Sequence, residues 1–109
     1  MRVTYDYITE DLDLPIDIVV DFIRNDNYNK VEESLQIKAV VAYPGCLEYM
    51  PRPSKAVAEA AIRDHPKNIG RIRKPTKELQ LLAISLDPSS IDLLINPCKE
   101  AQTLANLLA

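Results

Sequence analysis

Few residues in this chain carry a side chain that could act as a nucleophile or as a metal ligand. His65 is the only histidine, and Cys46 and Cys98 are the only cysteines. A cysteine nucleophile needs a base such as imidazole beside it, and a zinc site needs closely spaced Cys and His ligands. The cysteines fit no such spacing, and His65 stands 22 residues before Asp87, a candidate helix cap. We therefore interpret His65 as a capping or loop residue and predict no metal site and no cofactor.

Other groups that could take part in catalysis are equally isolated. The segment Glu10–Asp13 holds three carboxylates, but acid–base catalysis needs a carboxyl group whose pKa is raised by a pocket. Acidic residues in such a run also stabilise the N-terminus of a helix. Gly45 and Gly70 are the only glycines and stand apart, so we predict no phosphate-binding loop. The sequence favours a protein that is not an enzyme.

Charge is distributed unevenly along the chain. Residues 1–33 hold nine acids and three bases, whereas residues 34–109 hold ten bases and seven acids. The acidic first third could mimic nucleic acid and cover a basic surface of a host protein through long-range attraction; acidic residues that serve only solubility are the alternative. Tyrosine is favoured at interfaces. The candidate partner-binding residues of this segment are Tyr5, Tyr7, Asp11 and Asp13.

A basic stretch follows between residues 52 and 77. Its candidate partner-binding residues are Arg71, Arg73 and Lys74. The lysines at positions 55, 77 and 99 are evenly spaced, and such a ladder could follow the phosphates of a nucleic acid. A sequence pI of about 5.1 and the lack of interleaved aromatic residues argue against that function. A docking surface for an acidic protein and an ordinary solvated face remain as alternatives.

The clearest pattern is a repeat of 22 residues. We call a set of positions that recur at this spacing a column. The main columns are Pro53, Pro75, Pro97; Pro44, Pro66, Pro88; Ala39, Ala61, Ala83, Ala105; and Leu35, Val57, Leu79, Ala101. Each unit starts at a candidate cap such as Ser54 or Thr76, continues with apolar residues at i, i+3 and i+4, and then meets a second proline, which suits a helix start. We predict two short helices in each unit.

Helices of about ten residues are only ~15 Å long and are marginal in isolation, so each unit must pack on the next. We predict one all-α domain, a small α-solenoid of short helix pairs that is HEAT/armadillo-like. Its units are residues 32–52, 53–74 and 75–96, with a C-terminal half repeat at 97–109. Residues 1–31 form a divergent N-terminal capping segment, within which residues 1–8 predict a short strand or an irregular arm.

The half repeat ends on apolar residues, whereas repeat arrays usually end on a polar surface. Its leucines are Leu104, Leu107 and Leu108. We expect at least one of them to contact a partner or a second copy of the chain.

The sequence also indicates in which cellular compartment the protein is located. No segment reaches the ~20 apolar residues that a membrane span needs, and the N-terminus does not resemble a signal peptide. Two widely separated cysteines suit a reduced, cytosolic protein. We therefore predict a cytoplasmic location without membrane contact.

The segments NPCKEAQTLANLLA and KPTKELQLLAISLDPSSIDLLI resemble a short helical repeat of tailed bacteriophages and giant DNA viruses, which follows the pattern NPSEEVQLAAVKQNP. The resemblance covers about residues 32–109, and its matching positions are caps, turns and core. It implies a helical fold and a viral source, and it implies no catalytic residues. We therefore expect a small viral accessory protein that binds and modulates a host protein, in anti-defence or host takeover. Nucleic-acid binding is the alternative.

Overall fold

The computed structural model describes residues 6–109. Its five α-helices are α1 (Ile16–Phe22), α2 (Glu33–Ala42), α3 (Lys55–Asp64), α4 (Lys77–Leu86) and α5 (Lys99–Leu108). Within the described range no strand forms, and a single parallel bridge joins Ile8 to Val31. The prediction of an all-α fold is therefore confirmed. No helix in this range is long and apolar enough to cross a membrane.

The elements follow the 22-residue spacing of the sequence. Helices α2 to α5 each have ten residues, and their first residues are 22 positions apart. The second helix of each unit is a six-residue 3-10 helix, at Pro44–Tyr49, Pro66–Arg71 and Pro88–Leu93. Each 3-10 helix begins with its proline, which needs no backbone N–H there. Since each α-helix packs on the next, the described residues extend over 57 × 19 × 16 Å.

The helix starts confirm several of the predicted caps. The hydroxyls of Ser54 and Thr76 each accept a hydrogen bond of 3.3 Å from the backbone N–H three residues later. Asp87 accepts from the backbone N–H of Ser89 at 3.1 Å, and this bond, together with the one from the Ser89 hydroxyl, lowers the pKa of the Asp87 carboxyl. Neither His65 nor Cys98 makes a side-chain cap. Of the two alternatives for His65, the structure supports the exposed loop residue: it stands at the N-cap position but its side chain makes no cap.

The alanine column is buried in the core that neighbouring α-helices share. Ala39, Ala61 and Ala83 are fully buried, and Ala105 is nearly so. Their small side chains leave room for the larger apolar residues around them. The largest fully buried aliphatic side chains of helices α3 and α4 are Ile62 and Ile84. Successive 3-10 helices are also close, because a Cβ on Gly70 would lie only 3.3 Å from the Cβ of Leu93.

The N-terminal segment is attached to the rest of the molecule at Ile8. Its backbone N–H donates to the Lys30 carbonyl and its carbonyl accepts from the Glu32 N–H, both at 2.8 Å. The Ile8 side chain is fully buried. Close by, Lys38 forms an ion pair of 2.6 Å with Glu10, and that hydrogen bond raises the pKa of the lysine. Ile8 therefore takes part in one isolated β-bridge, with Val31. The rest of the predicted strand or arm, residues 1–5, lies outside the described residues.

The buried alanine column gives a test of the packing. Replacing Ala61 with Leu adds three carbons at a fully buried position, which forces neighbouring side chains or helices apart. We expect the free energy of unfolding to fall by about 1–3 kcal/mol, measured by urea denaturation. The same change at Ala56, an exposed position of the same helix, serves as the control. Equal midpoints for the two variants would contradict the close helix approach.

Candidate partner-binding surfaces

The groups that could have supported catalysis do not come together. Cys46 is buried, Cys98 is half-buried and His65 is exposed. In residues 6–109 no hydrogen bond joins His65 to either cysteine, and no three His, Cys, Asp or Glu residues form a group that could hold a metal ion. Burial raises the pKa of the Cys46 thiol, and a protonated thiol is a poor nucleophile.

An open groove with a volume of about 800 Å³ lies between α4 and α5. We call it the leucine groove. Its walls carry Leu81, Leu82, Leu104 and Leu107, and the short side chains of Ser85 and Thr103 lie between them. Leu107 is 76% exposed. Charged residues line only the end of the groove near the two helix starts, at Glu78, Lys99 and Glu100.

This apolar surface is particular to the last two α-helices. The positions of Leu82 and Leu104 are occupied by Ala60 in α3, and that of Leu107 by Arg63. Leu82 and Leu104 are half-buried and pack against the edge of the core, whereas Leu107 is 76% exposed. The leucine groove is thus a departure from the repeat at the border between core and solvent.

The outward edge of α5 differs from what the sequence suggested. Ile84 packs against α5, so Asn106, 22 residues later, lies on the edge of α5 that faces away from α4. Gln80 likewise accepts a hydrogen bond from the backbone N–H of Cys98, and its equivalent Gln102 is exposed. This edge is therefore polar. Leu104 and Leu107 line the groove instead, and the contact of a terminal leucine with a partner or a second copy stays a prediction.

Glutamine side chains link three of the α-helices to the loops that precede them by hydrogen bonds. The side-chain amides of Gln36, Gln80 and Gln102 each donate to the carbonyl five residues earlier, over 2.8–3.1 Å. Gln80 also accepts from the Cys98 N–H at 2.8 Å. It therefore ties α4 to the start of α5 and positions the two walls of the leucine groove. Sequence analysis missed this role, although these glutamines belong to one column.

A second hollow lies between the loops that precede α3 and α4, and we call it the basic pocket. It has a volume of about 470 Å³ and carries three cationic side chains, from Arg52, Arg73 and Lys74. Pro51, Pro53, Ile72, Thr76 and Leu79 complete its lining. The Arg73 guanidinium donates to the Glu48 carbonyl at 3.4 Å. Arg73 and Lys74 also line a neighbouring hollow of about 360 Å³ that extends to Asn96.

The structure divides the basic residues selected from the sequence. Arg73 and Lys74 lie together in the basic pocket, but Arg71 forms an ion pair of 3.3 Å with Glu48 and is not part of its lining. Arg52 completes the pocket instead. It stands 22 residues before Lys74, so the repeat could have indicated that these two residues share an edge.

The predicted lysine ladder is partly neutralised. Lys55 approaches Glu59 at 3.9 Å, and Lys77 approaches Glu100 at 3.7 Å. The Glu100 carboxyl has a lowered pKa because it accepts from its own backbone N–H and faces Lys77. Such exposed pairs add little stability, but they reduce the net positive charge that a nucleic acid would meet along this edge.

The acidic candidates line neither the leucine groove nor the basic pocket. Tyr7 is 51% exposed, and Asp11 and Asp13 are exposed in and just after the 3-10 helix Glu10–Leu12. Tyr5 lies outside the described residues. Since α1 packs on α2 and each later α-helix packs on its neighbour, this segment and the leucine groove are at opposite ends of the molecule. The acidic candidates of the first third of the sequence and the candidates of the remaining chain thus do not form one site.

Comparisons with protein-family models, with curated proteins and with solved structures find no match to this chain.

The glutamine link to α5 can be tested by substitution. Gln80→Leu removes the side-chain amide and leaves the Cys98 N–H without its acceptor and the Pro75 carbonyl without its donor. We expect the free energy of unfolding to fall by about 1–3 kcal/mol, measured by urea denaturation. Gln102→Leu is the control, because Gln102 is exposed and its hydrogen bond to the Pro97 carbonyl lies at the surface. A larger effect at Gln102 than at Gln80 would exclude this role.

Proposed function

We propose that this chain is a non-enzymatic protein-interaction module built as a small α-solenoid. The equal helices, their 22-residue spacing and the elongated dimensions support this description. Stacked helical repeats present extended surfaces, and proteins with this architecture commonly act by binding. The single domain of residues 1–109 and its cytoplasmic location remain part of the proposal.

The observation that carries the function is the leucine groove. An exposed apolar patch marks an interaction site in a folded protein, and this shallow, open groove has half-buried Leu81, Leu82 and Leu104 and exposed Leu107 on its walls. Helices of ten residues are about 15 Å long, so the groove can hold roughly three turns of another helix. We infer that its occupant is an amphipathic helix of a partner protein that presents apolar residues at i, i+3, i+4 and i+7.

The biological setting of the proposal comes from the resemblance to viral repeats. On that basis the partner is a host protein, and its capture by this small viral accessory protein would inhibit or redirect it, in anti-defence or host takeover. The exposed acidic residues Asp11 and Asp13, with Tyr7, offer a further contact surface at the other end of the molecule.

Two alternatives have specific observations in their favour. A homo-oligomer would cover the same groove, because Leu107 and Leu108 are 76% and 46% exposed on α5. Nucleic-acid binding would use the cationic side chains of the basic pocket. The pairing of Lys55 and Lys77 with acids favours a protein partner over a nucleic acid.

The groove is tested with a fluorescein-labelled helical peptide that carries leucines at i, i+3, i+4 and i+7. We expect saturable binding by fluorescence anisotropy and a loss of affinity of about tenfold or more for Leu107→Asp, since central apolar anchors carry most of the binding energy. Because Leu107 is exposed, the variant should unfold at the same temperature as the parent.

Ile18→Asp is the matched control, since Ile18 is a 44% exposed aliphatic residue on α1. Equal affinities for the Leu107 and Ile18 variants would refute the groove as the binding site. Sedimentation velocity of the same proteins tests the homo-oligomer. A dimer that dissociates in Leu107→Asp but not in Ile18→Asp would show that a second copy, rather than another protein's helix, fills the groove.

A further inference from the structure

The basic pocket gathers its charge from two different units. Arg52 comes from the loop before α3, whereas Arg73 and Lys74 come from the loop before α4. The 22-residue spacing stacks these loops side by side. None of the eight residues that line the pocket is acidic, although Glu48 and Glu59 neutralise other cations of the same units. The three positive charges therefore face the same hollow without a carboxylate among its lining residues.

The remaining lining of the pocket is apolar and rigid. Ile72 and Leu79 are more than nine-tenths buried and form the floor with Pro51 and Pro53. The Thr76 hydroxyl already accepts the capping hydrogen bond from Leu79. The Arg73 guanidinium is oriented by the carbonyl of Glu48, so less side-chain freedom is lost when it binds a ligand. The pocket thus combines a cationic rim with an apolar floor.

We propose that the basic pocket binds an acidic segment of a partner protein, in which carboxylates flank an aliphatic side chain. This inference rests on the proposed function, because it adds a second contact for a protein partner. The carboxylates would pair with Arg52, Arg73 and Lys74, since guanidinium groups match carboxylates with two parallel hydrogen bonds. The aliphatic side chain would cover the floor of Ile72 and Leu79.

The lining favours a peptide over a nucleic acid. Proteins that bind single strands stack bases on aromatic side chains, and none of the eight lining residues is aromatic. A bound duplex would need cations continued along the edge, but Asn96 occupies the position equivalent to Lys74 in the next unit. The cationic surface is therefore limited to one pocket and the adjacent hollow, which suits a short segment.

The test uses a short labelled peptide that alternates glutamate and leucine, with fluorescence anisotropy at low and at physiological salt. We expect binding that weakens as salt rises and a loss of affinity of about tenfold or more in the double variant Arg73→Glu/Lys74→Glu. Arg52→Glu should act in the same direction. The same peptide with glutamine in place of glutamate should not bind.

The matched control is Arg63→Glu/Lys67→Glu, which makes the same charge change at two exposed residues outside the pocket lining. Equal losses in the two double variants would overturn the proposal in favour of general charge attraction. The proposal would also be overturned if a single-stranded oligonucleotide bound more tightly than the peptide and the double variant Arg73→Glu/Lys74→Glu abolished that binding. If the acidic peptide fails to bind while the helical peptide still occupies the leucine groove, the pocket is excluded and the proposed function stands.

Discussion

The molecule depends on how closely its α-helices approach one another at the alanine column. A ten-residue helix has little stability alone, so each one must bury its apolar stripe against its neighbours. Ala39, Ala61 and Ala83 are fully buried at these contacts, where any larger side chain would separate the helices. The same contact recurs at a fixed interval, and the remaining elements fit around it: the capped helix starts, the 3-10 helices and the stacked loops.

This constraint also explains where the candidate surfaces lie. The buried columns of alanines and of Leu35, Val57, Leu79 and Ala101 stay apolar in every unit, whereas solvent-facing columns vary in charge and polarity. The leucine groove arises where Leu82 and Leu104 replace the type of small residue seen at Ala60. The basic pocket arises where Arg52 and Lys74 stack in two successive loops. Both surfaces are departures from the repeat on a regular framework, so a change in either can alter binding while the core remains intact.

The sequence predicted helix positions better than it predicted helix types or side-chain contacts. The caps at Ser54 and Thr76 follow local rules for the first helical turn, and the structure confirms them. The second helices proved to be 3-10 helices of six residues, the proline included. The glutamine links were missed, since a side chain that reaches a carbonyl in a neighbouring loop leaves no periodic apolar signal. Arg71 was selected and Arg52 was not, because ion pairing with Glu48 depends on how the units stack.

By itself the sequence determined the all-α fold, the spacing of the elements and the residues that must be buried, because these depend on local propensity and on a periodic apolar pattern. Only the tertiary structure decided which exposed residues share a surface. It placed Leu104 and Leu107 in a groove between α4 and α5, and it brought Arg52 from the loop before α3 together with Arg73 and Lys74 from the loop before α4. Such groupings depend on the angle and offset between neighbouring units, which arise from side-chain packing across helices rather than from any single segment.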